Sequence, residues 1–332
     1  MSQRGIDIEG LRVGYGAHGY RYPQPISCCA QRGELVALVG RNGVGKSTLL
    51  RCVAGLQRPQ GGRVLLGGAD VAQMERRHRA QLLSFIPAEP PRSPNTTVRG
   101  FVELARYPRH GWFAPLGPAD HAAVGQAIDR VGMGHLAHRH LAHLSDGERQ
   151  RAMIAFAMAH DTPIVLMDEP TAFLDLPNKF EVVRLLRDLA LAGKTILFST
   201  HDLPTALSMA DTIWLMLPGA FHVGAPEDLI VSGAIDGLME GTHVRFDAQA
   251  GQFAYVHGRA LRPVALRASD GLLRQWTAHA LQRGGFAVLP VSTEGATPLL
   301  VELADGPRWV LSRGGVRSSF GSLRSLMLAL RE

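Results

Sequence analysis

Only three cysteines occur in the 332 residues, and two of them, Cys28 and Cys29, are neighbours. That excludes a disulfide framework and fits a reducing cytoplasm. No apolar signal segment opens the sequence, and no apolar run approaches the length needed to span a bilayer. Even Ala152-Met153-Ile154-Ala155-Phe156-Ala157-Met158-Ala159 is too short and reads as a buried helix. The expectation is a protein soluble by itself. No long Lys/Arg block is present, so the formal net charge of +6 reads as a modestly basic surface, although it would also suit nucleic acid or an anionic membrane. Internal repeats and low-complexity tracts are absent too. What the sequence does have is 46% apolar residues, enough for packed cores, and a length that suggests two domains.

The chain is organised around Gly40-Arg41-Asn42-Gly43-Val44-Gly45-Lys46-Ser47-Thr48. It follows the apolar run Leu35–Val39, which is short enough for one buried strand. It precedes Leu49–Leu56, whose apolar residues recur at helical spacing. Strand, glycine-rich turn and helix start together form the context of a phosphate-binding loop. The glycines let backbone N–H groups curl around an anion, and the helix N-terminus adds partial positive charge. Lys46 would reach the β- and γ-phosphates, and the Ser47 hydroxyl would ligate Mg²⁺. The nucleotide-binding candidates are Gly40, Asn42, Gly43, Gly45, Lys46, Ser47 and Thr48.

Two later strands end in chemistry. Pro163–Met167 runs into Asp168-Glu169, where one carboxylate would hold Mg²⁺ and the second would position or deprotonate an attacking water. The turn at Pro170 is expected to swing Glu169 toward the γ-phosphate. Lys194–Thr200 ends at His201, at the carboxyl end of a parallel strand, where α/β sites gather. Of the tyrosines ahead of the phosphate loop, Tyr15 is the candidate for stacking on a purine ring. Ile6–Glu9 and Leu11–Val13 alternate and suggest an antiparallel pair. Gly61–Gly68 and Leu82–Ile86 read as strands. Residues from about 89 to 160 read as a helical insertion, with helices over Val98–Arg106 and Asp120–Val131.

With those motifs placed, the chain resembles the ATP-binding subunits of ABC transporters over residues from about 6 to 240. The specific evidence is Leu144-Ser145-Asp146-Gly147-Glu148-Arg149-Gln150-Arg151, which is similar to the ABC signature sequence. Pro170–Asp175 resembles the D-loop region, and His201 matches the switch histidine. The resemblance implies an α/β P-loop ATPase with an antiparallel β subdomain and a helical subdomain. It implies ATP and Mg²⁺ as ligands and a head-to-tail dimer with two ATP molecules in its interface. Lys46, Ser47, Asp168, Glu169 and His201 of one subunit would face Ser145, Gly147 and Glu148 of the other, with Asp175 alongside. Glu169 and His201 are the catalytic candidates.

The sequence departs from the family pattern twice. Asp146 stands where the signature usually has glycine. The strand ending at Ile86 should lead to a glutamine that contacts Mg²⁺, yet it reads Pro87-Ala88-Glu89, which leaves Glu89 as the candidate for that task. Ala105–Pro108, Trp112-Phe113 and the signature segment resemble the importer branch for iron chelates, haem and cobalamin, and are most similar to its iron–siderophore members. Such a subunit would sit on the cytoplasmic face of the membrane, bound through two permease subunits and served indirectly by a substrate-binding protein. A haem or cobalamin importer is the neighbouring alternative. A soluble ABC ATPase acting on nucleic acid or ribosomes is the more distant one, and no nucleic-acid partner is expected. Four histidines, His135, His138, His140 and His143, read as surface residues rather than a metal cluster. The last stretch, 241–332, falls outside the family core. It reads as a small accessory α+β domain, with a hairpin at 244–256, strands at 263–267, 286–290 and 299–303, and helices at 272–282 and 323–330.

Overall fold

Every residue of the strand before the glycine-rich loop, Leu35–Val39, is buried. A parallel strand covered on both faces needs no polar alternation. This strand is central to the computed structural model, which describes residues 4–14, 21–89, 95–110, 115–172, 174–248, 251–255, 262–269, 271–289, 299–304 and 308–331. The chain divides into two units, Met1–Leu238 and Met239–Glu332.

In chain order the first unit contains β1 (Arg4–Arg12), β2 (Ile26–Gln31), β3 (Leu35–Val39), α1 (Lys46–Val53), β4 (Gly61–Leu66), β5 (Ala69–Asp70), α2 (Arg76–Leu82) and β6 (Leu83–Ile86). A helical stretch follows: α3 (Val98–Glu103), α4 (Tyr107–His110), α5 (Pro118–Arg130) and α6 (Asp146–His160). The unit continues with β7 (Ile164–Met167), α7 (Leu176–Leu191), β8 (Thr195–Thr200), α8 (Leu203–Met209), β9 (Thr212–Met216), β10 (Phe221–Gly224) and α9 (Pro226–Val231).

Six strands form the main sheet in the order β10-β9-β3-β8-β7-β6. All pairings are parallel except β10 with β9. The carboxyl ends of β3, β7 and β8 therefore open on one edge, where ligands of open α/β sheets bind. A second, antiparallel sheet has the order β2-β1-β4-β5. Ile6, Ile8 and Leu11 from that sheet share one core with Val36, Leu38, Leu49, Leu50 and Trp214. Each fully buried aliphatic side chain there contributes about 1.5–3 kcal/mol.

The expected antiparallel pair at Ile6–Glu9 and Leu11–Val13 is instead essentially one strand, β1. Its pairing to both neighbours shifts register around Gly10, which has φ 57. A bulge there lets one strand carry two alternating segments that read as separate. The helix α2 was not expected, and Leu82, read as strand, is its last residue. Arg106 and Asp120 form a buried ion pair in the helical stretch (2.8 Å), and Arg106 also donates to the Ala159 carbonyl (2.7 Å). His160, which ends α6, is buried with its Nδ1 2.7 Å from Ser84 Oγ. Burial, reinforced by the nearby Arg109, pushes its imidazole down to about 4.

The second unit contains a hairpin of β11 (Val244–Asp247) and β12 (Gln252–Tyr255), then β13 (Arg262–Arg267), α10 (Leu272–Arg283), β14 (Phe286–Leu289), β15 (Leu299–Ala304), β16 (Arg308–Arg313), β17 (Val316–Phe320) and α11 (Leu323–Ala329). The last five strands form a mixed sheet, β14-β13-β15-β16-β17. Its core joins Val264, Leu266 and Val301 to Leu281 and Leu326 of the helices and to Leu330 just after α11. This is the expected α+β unit, with the β16–β17 pair as an addition. The turn between those two strands is Gly314-Gly315, both at positive φ, a standard hairpin connection.

Candidate nucleotide-binding site

The site forms where β3, β7 and β8 end. Gly40 has no room for a side chain: a Cβ there would lie 2.5 Å from the Met216 carbonyl oxygen and 2.8 Å from Val44 Cγ1. Gly43 (φ 82) and Gly45 (φ 108) take left-handed backbone, and Gly45 is the N-cap of α1. The loop therefore curls and enters the helix at Lys46, as an anion cradle requires. Asn42 is exposed and Thr48 half-buried on this loop and the first helical turn.

Lys46 is buried. Its ammonium donates to the Gly40 carbonyl (2.9 Å) and lies 3.3 Å from Glu169 Oε1. One residue on, the Ser47 hydroxyl donates to Asp168 Oδ1 (3.0 Å). Asp168 is itself buried. Glu169 has φ 50, left-handed backbone in a residue with a side chain, a conformation that costs on the order of 1 kcal/mol. The swing that the sequence reading located at Pro170 thus occurs at Glu169 itself. It separates the two neighbouring carboxylates: Asp168 turns to Ser47, and Glu169 to Lys46 and His201. His201 Nδ1 lies 2.7 Å from Glu169 Oε2. A carboxylate accepts, so Nδ1 is the donor. The His201 side chain is half exposed.

A hydroxyl and a carboxylate are hard oxygen donors of the kind Mg²⁺ selects, and two protein ligands suffice for an ion that keeps several waters. Ser47 and Asp168 fit that ion. Among the described residues no group of three His, Cys, Asp or Glu could hold a metal.

The remaining candidates lie apart from this centre. Ser145 is the N-cap of α6: its Oγ accepts from the Glu148 N–H (3.3 Å), and its own N–H donates to Glu148 Oε2 (2.8 Å). The Ser145 N–H bond first, and with it the Ser145 hydroxyl, which also donates to Glu148 Oε2 (3.0 Å), hold the Glu148 carboxyl below its usual range. Asp146 is exposed and paired with Arg149 (3.2 Å), which balances its charge locally. Gly147 is not compelled by its own chain, since the nearest atom to a Cβ there would be Asn178 Cγ at 3.6 Å. Asp175 caps α7 by accepting from the Asn178 N–H (3.1 Å) and Nδ2 (2.6 Å). Glu89 is exposed at the bend after β6, and among the described residues no hydrogen bond or ion pair joins it to Ser47 or Asp168. Tyr15 lies outside the described residues.

One residue of the centre was not anticipated. Ser199, fully buried on β8, donates to Asp168 Oδ1 (2.6 Å) and accepts from the Glu169 N–H (2.8 Å). The signal was a hydroxyl in an apolar strand, two residues before His201.

The chain is similar to known proteins in sequence and in fold. Residues 23–172 match the ABC transporter family, and residues 261–331 match the iron ABC transporter C-terminal domain. The chain is similar to the achromobactin transport ATP-binding protein of Dickeya dadantii, 41% identical over 201 residues, covering 60% of this chain and 75% of that one. It is similar to a Bacillus subtilis protein described as a probable siderophore transport system ATP-binding protein, 33% identical over 240 residues, covering 72% and 86%. A solved ATP-binding subunit of an ABC transporter superposes with a TM-score of 0.60 at 26% identity, over 71% of this chain and 95% of that one.

Proposed function

Since the chain belongs to the ATP-binding subunits of ABC transporters, a family of ATPases, we propose that it is the motor of an importer for iron chelates of the siderophore type. The observation that carries the ATPase part is the convergence of Lys46, Ser47, Asp168, Glu169 and His201 at one sheet edge. The cargo rests on two supports: the transport named for the two relatives, and the match of residues 261–331 to an iron-type C-terminal domain. Residues 1–240 then serve as the ATP-binding domain and 241–332 as an accessory domain. The subunit works at the cytoplasmic face of the membrane, held by two permease subunits that receive cargo from a substrate-binding protein. No helix among the described residues is long and apolar enough to cross the membrane by itself.

The chain's residues divide the chemistry. The loop from Gly40 to Thr48 and the Lys46 ammonium hold the phosphates. Ser47 and Asp168 would hold Mg²⁺, which when bound offsets phosphate charge. Glu169 accepts a proton from the attacking water as the water oxygen bonds to the γ-phosphorus and the bond to the ADP oxygen breaks. His201 donates to Glu169 and keeps its carboxylate aimed. In a head-to-tail dimer, Ser145 and Gly147 of a second copy approach the γ-phosphate. Gly147 suits that task because nothing in its own chain demands a glycine there. Hydrolysis replaces one polyphosphate by two repelling anions and opens the pair.

The test is a pull-down of tagged protein from its native membranes in mild detergent, followed by uptake of a radiolabelled ferric siderophore in a strain lacking the subunit. A polytopic permease in the eluate and lost uptake are expected. Ribosomes or nucleic acid in the eluate, with no membrane protein, would overturn the importer reading.

A further inference from the structure

The geometry points to Ser199 as a positioning residue that sets both carboxylates of the site; the assignment rests on the ATPase reading above. Asp168 Oδ1 receives two hydroxyl hydrogen bonds, from Ser47 at 3.0 Å and from Ser199 at 2.6 Å. Ser199 has a single hydroxyl hydrogen, which goes to Asp168. A lone pair on the same oxygen takes the Glu169 N–H at 2.8 Å. One oxygen thus fixes the side chain of one carboxylate residue and the backbone of the next.

Local packing explains why that oxygen matters. Ser199 is 0% exposed and follows Ile196, Leu197 and Phe198, all fully buried. A hydroxyl in such surroundings is costly unless hydrogen-bonded, and here its donor and an acceptor position are both used. The pairing of β7 with β8 ends at Met167 opposite Phe198, so the Glu169 N–H lies beyond the ladder. The left-handed turn at Glu169 would leave that N–H without a strand partner, and Ser199 supplies one. With Oδ1 of Asp168 held by two hydroxyls, the carboxylate has one rotamer in which to meet a cation beside Ser47. Groups that orient a metal ligand in this way change metal affinity or activity by about 10–100-fold when removed.

The test compares the parent with Ser199→Ala, Ser199→Cys and Ser199→Thr. ATP binding is measured by calorimetry without Mg²⁺ and across a Mg²⁺ titration, beside steady-state hydrolysis and melting temperature. In Ser199→Ala, Mg²⁺-free ATP binding should match the parent, because Lys46 and the loop are untouched. The Mg²⁺ concentration that gives half the affinity gain should rise about 10–100-fold, and kcat should fall with KM for ATP unchanged at saturating Mg²⁺. Ser199→Thr, which keeps the hydroxyl, should recover most of the Mg²⁺ response. Ser199→Cys keeps the volume with a weak donor and should behave like Ser199→Ala, so a folded variant is available if alanine destabilises. A parent-like Mg²⁺ response in folded Ser199→Ala or Ser199→Cys would overturn the assignment and leave the ATPase reading standing. A parent protein that neither binds nor hydrolyses ATP would instead count against the ATPase reading itself.

Discussion

Lys46, Ser47, Asp168, Glu169 and His201 come from distant parts of the chain and bond to one another, while the hydrogen bonds of Ser145, Glu148, Asp175 and Asn178 run between residues three positions apart. The first group is a polar network, buried at Lys46 and Asp168, that exists only once the main sheet is closed. The second is a pair of helix caps, complete in themselves and turned toward whatever approaches. That division suits the proposed head-to-tail pair: one half of each ATP site is assembled by tertiary folding, the other is a preshaped helix end presented to a second copy.

The strongest way to break the comparison is Glu169→Gln. The shape stays and the proton acceptor goes, so turnover should drop about 10²–10⁴-fold while ATP still binds and traps a dimer on gel filtration. Hydrolysis at the parent rate would remove Glu169 from its role. Lys46→Ala comes next. Losing a charge-assisted contact of about 1.5–3 kcal/mol should raise the Kd for ATP by at least tenfold, read by calorimetry. An unchanged Kd would count against the phosphate-loop assignment.

A glycine pair sharpens the contrast through stability. Gly40→Ala drives a Cβ into the Met216 carbonyl at 2.5 Å and should cost about 1–3 kcal/mol, seen as a lower melting temperature. Gly147→Ala meets nothing nearer than 3.6 Å, so it should melt like the parent and lose hydrolysis only where a second copy must approach. A Gly147→Ala protein that melts early would mean the signature end is built by its own chain after all.

The last contrast concerns the far end of the signature helix. The folded pKa of His160 lies below its free value, so the residue is held neutral. Its contribution to stability is complete above about 6.5 and is lost as the pH falls toward about 4. Melting temperatures between those limits should fall more steeply in the parent than in His160→Gln, and parallel curves would exclude the effect.

Much of this was legible in the sequence because the signals are local. Three glycines and a Lys-Ser pair within nine residues specify a phosphate loop before any fold is known, and an apolar run ending in Asp168-Glu169 specifies the strand that must face it. What was not legible depended on contacts across the sheet. A serine at 199 looks like any strand residue until Asp168 and the Glu169 N–H are placed beside it. The bulge at Gly10 made one strand read as two. Likewise Glu148 reads as part of a binding motif, yet in the fold its carboxylate caps a helix.

The strand order carries one more consequence, for the birth of the protein. β8 lies between β3 and β7, so the strand before the phosphate loop and the strand bearing the carboxylates are not neighbours. The loop is made early in synthesis, yet the strand that joins it to Asp168 and Glu169 leaves the ribosome only after Thr195. Until then Leu35–Val39 has no β8 or β9 to pair with, and its all-apolar surface must wait or be shielded. Nucleotide binding that draws on Asp168 and Glu169 is therefore a property of the finished sheet alone, and by mass action ATP stabilises only chains that have completed it.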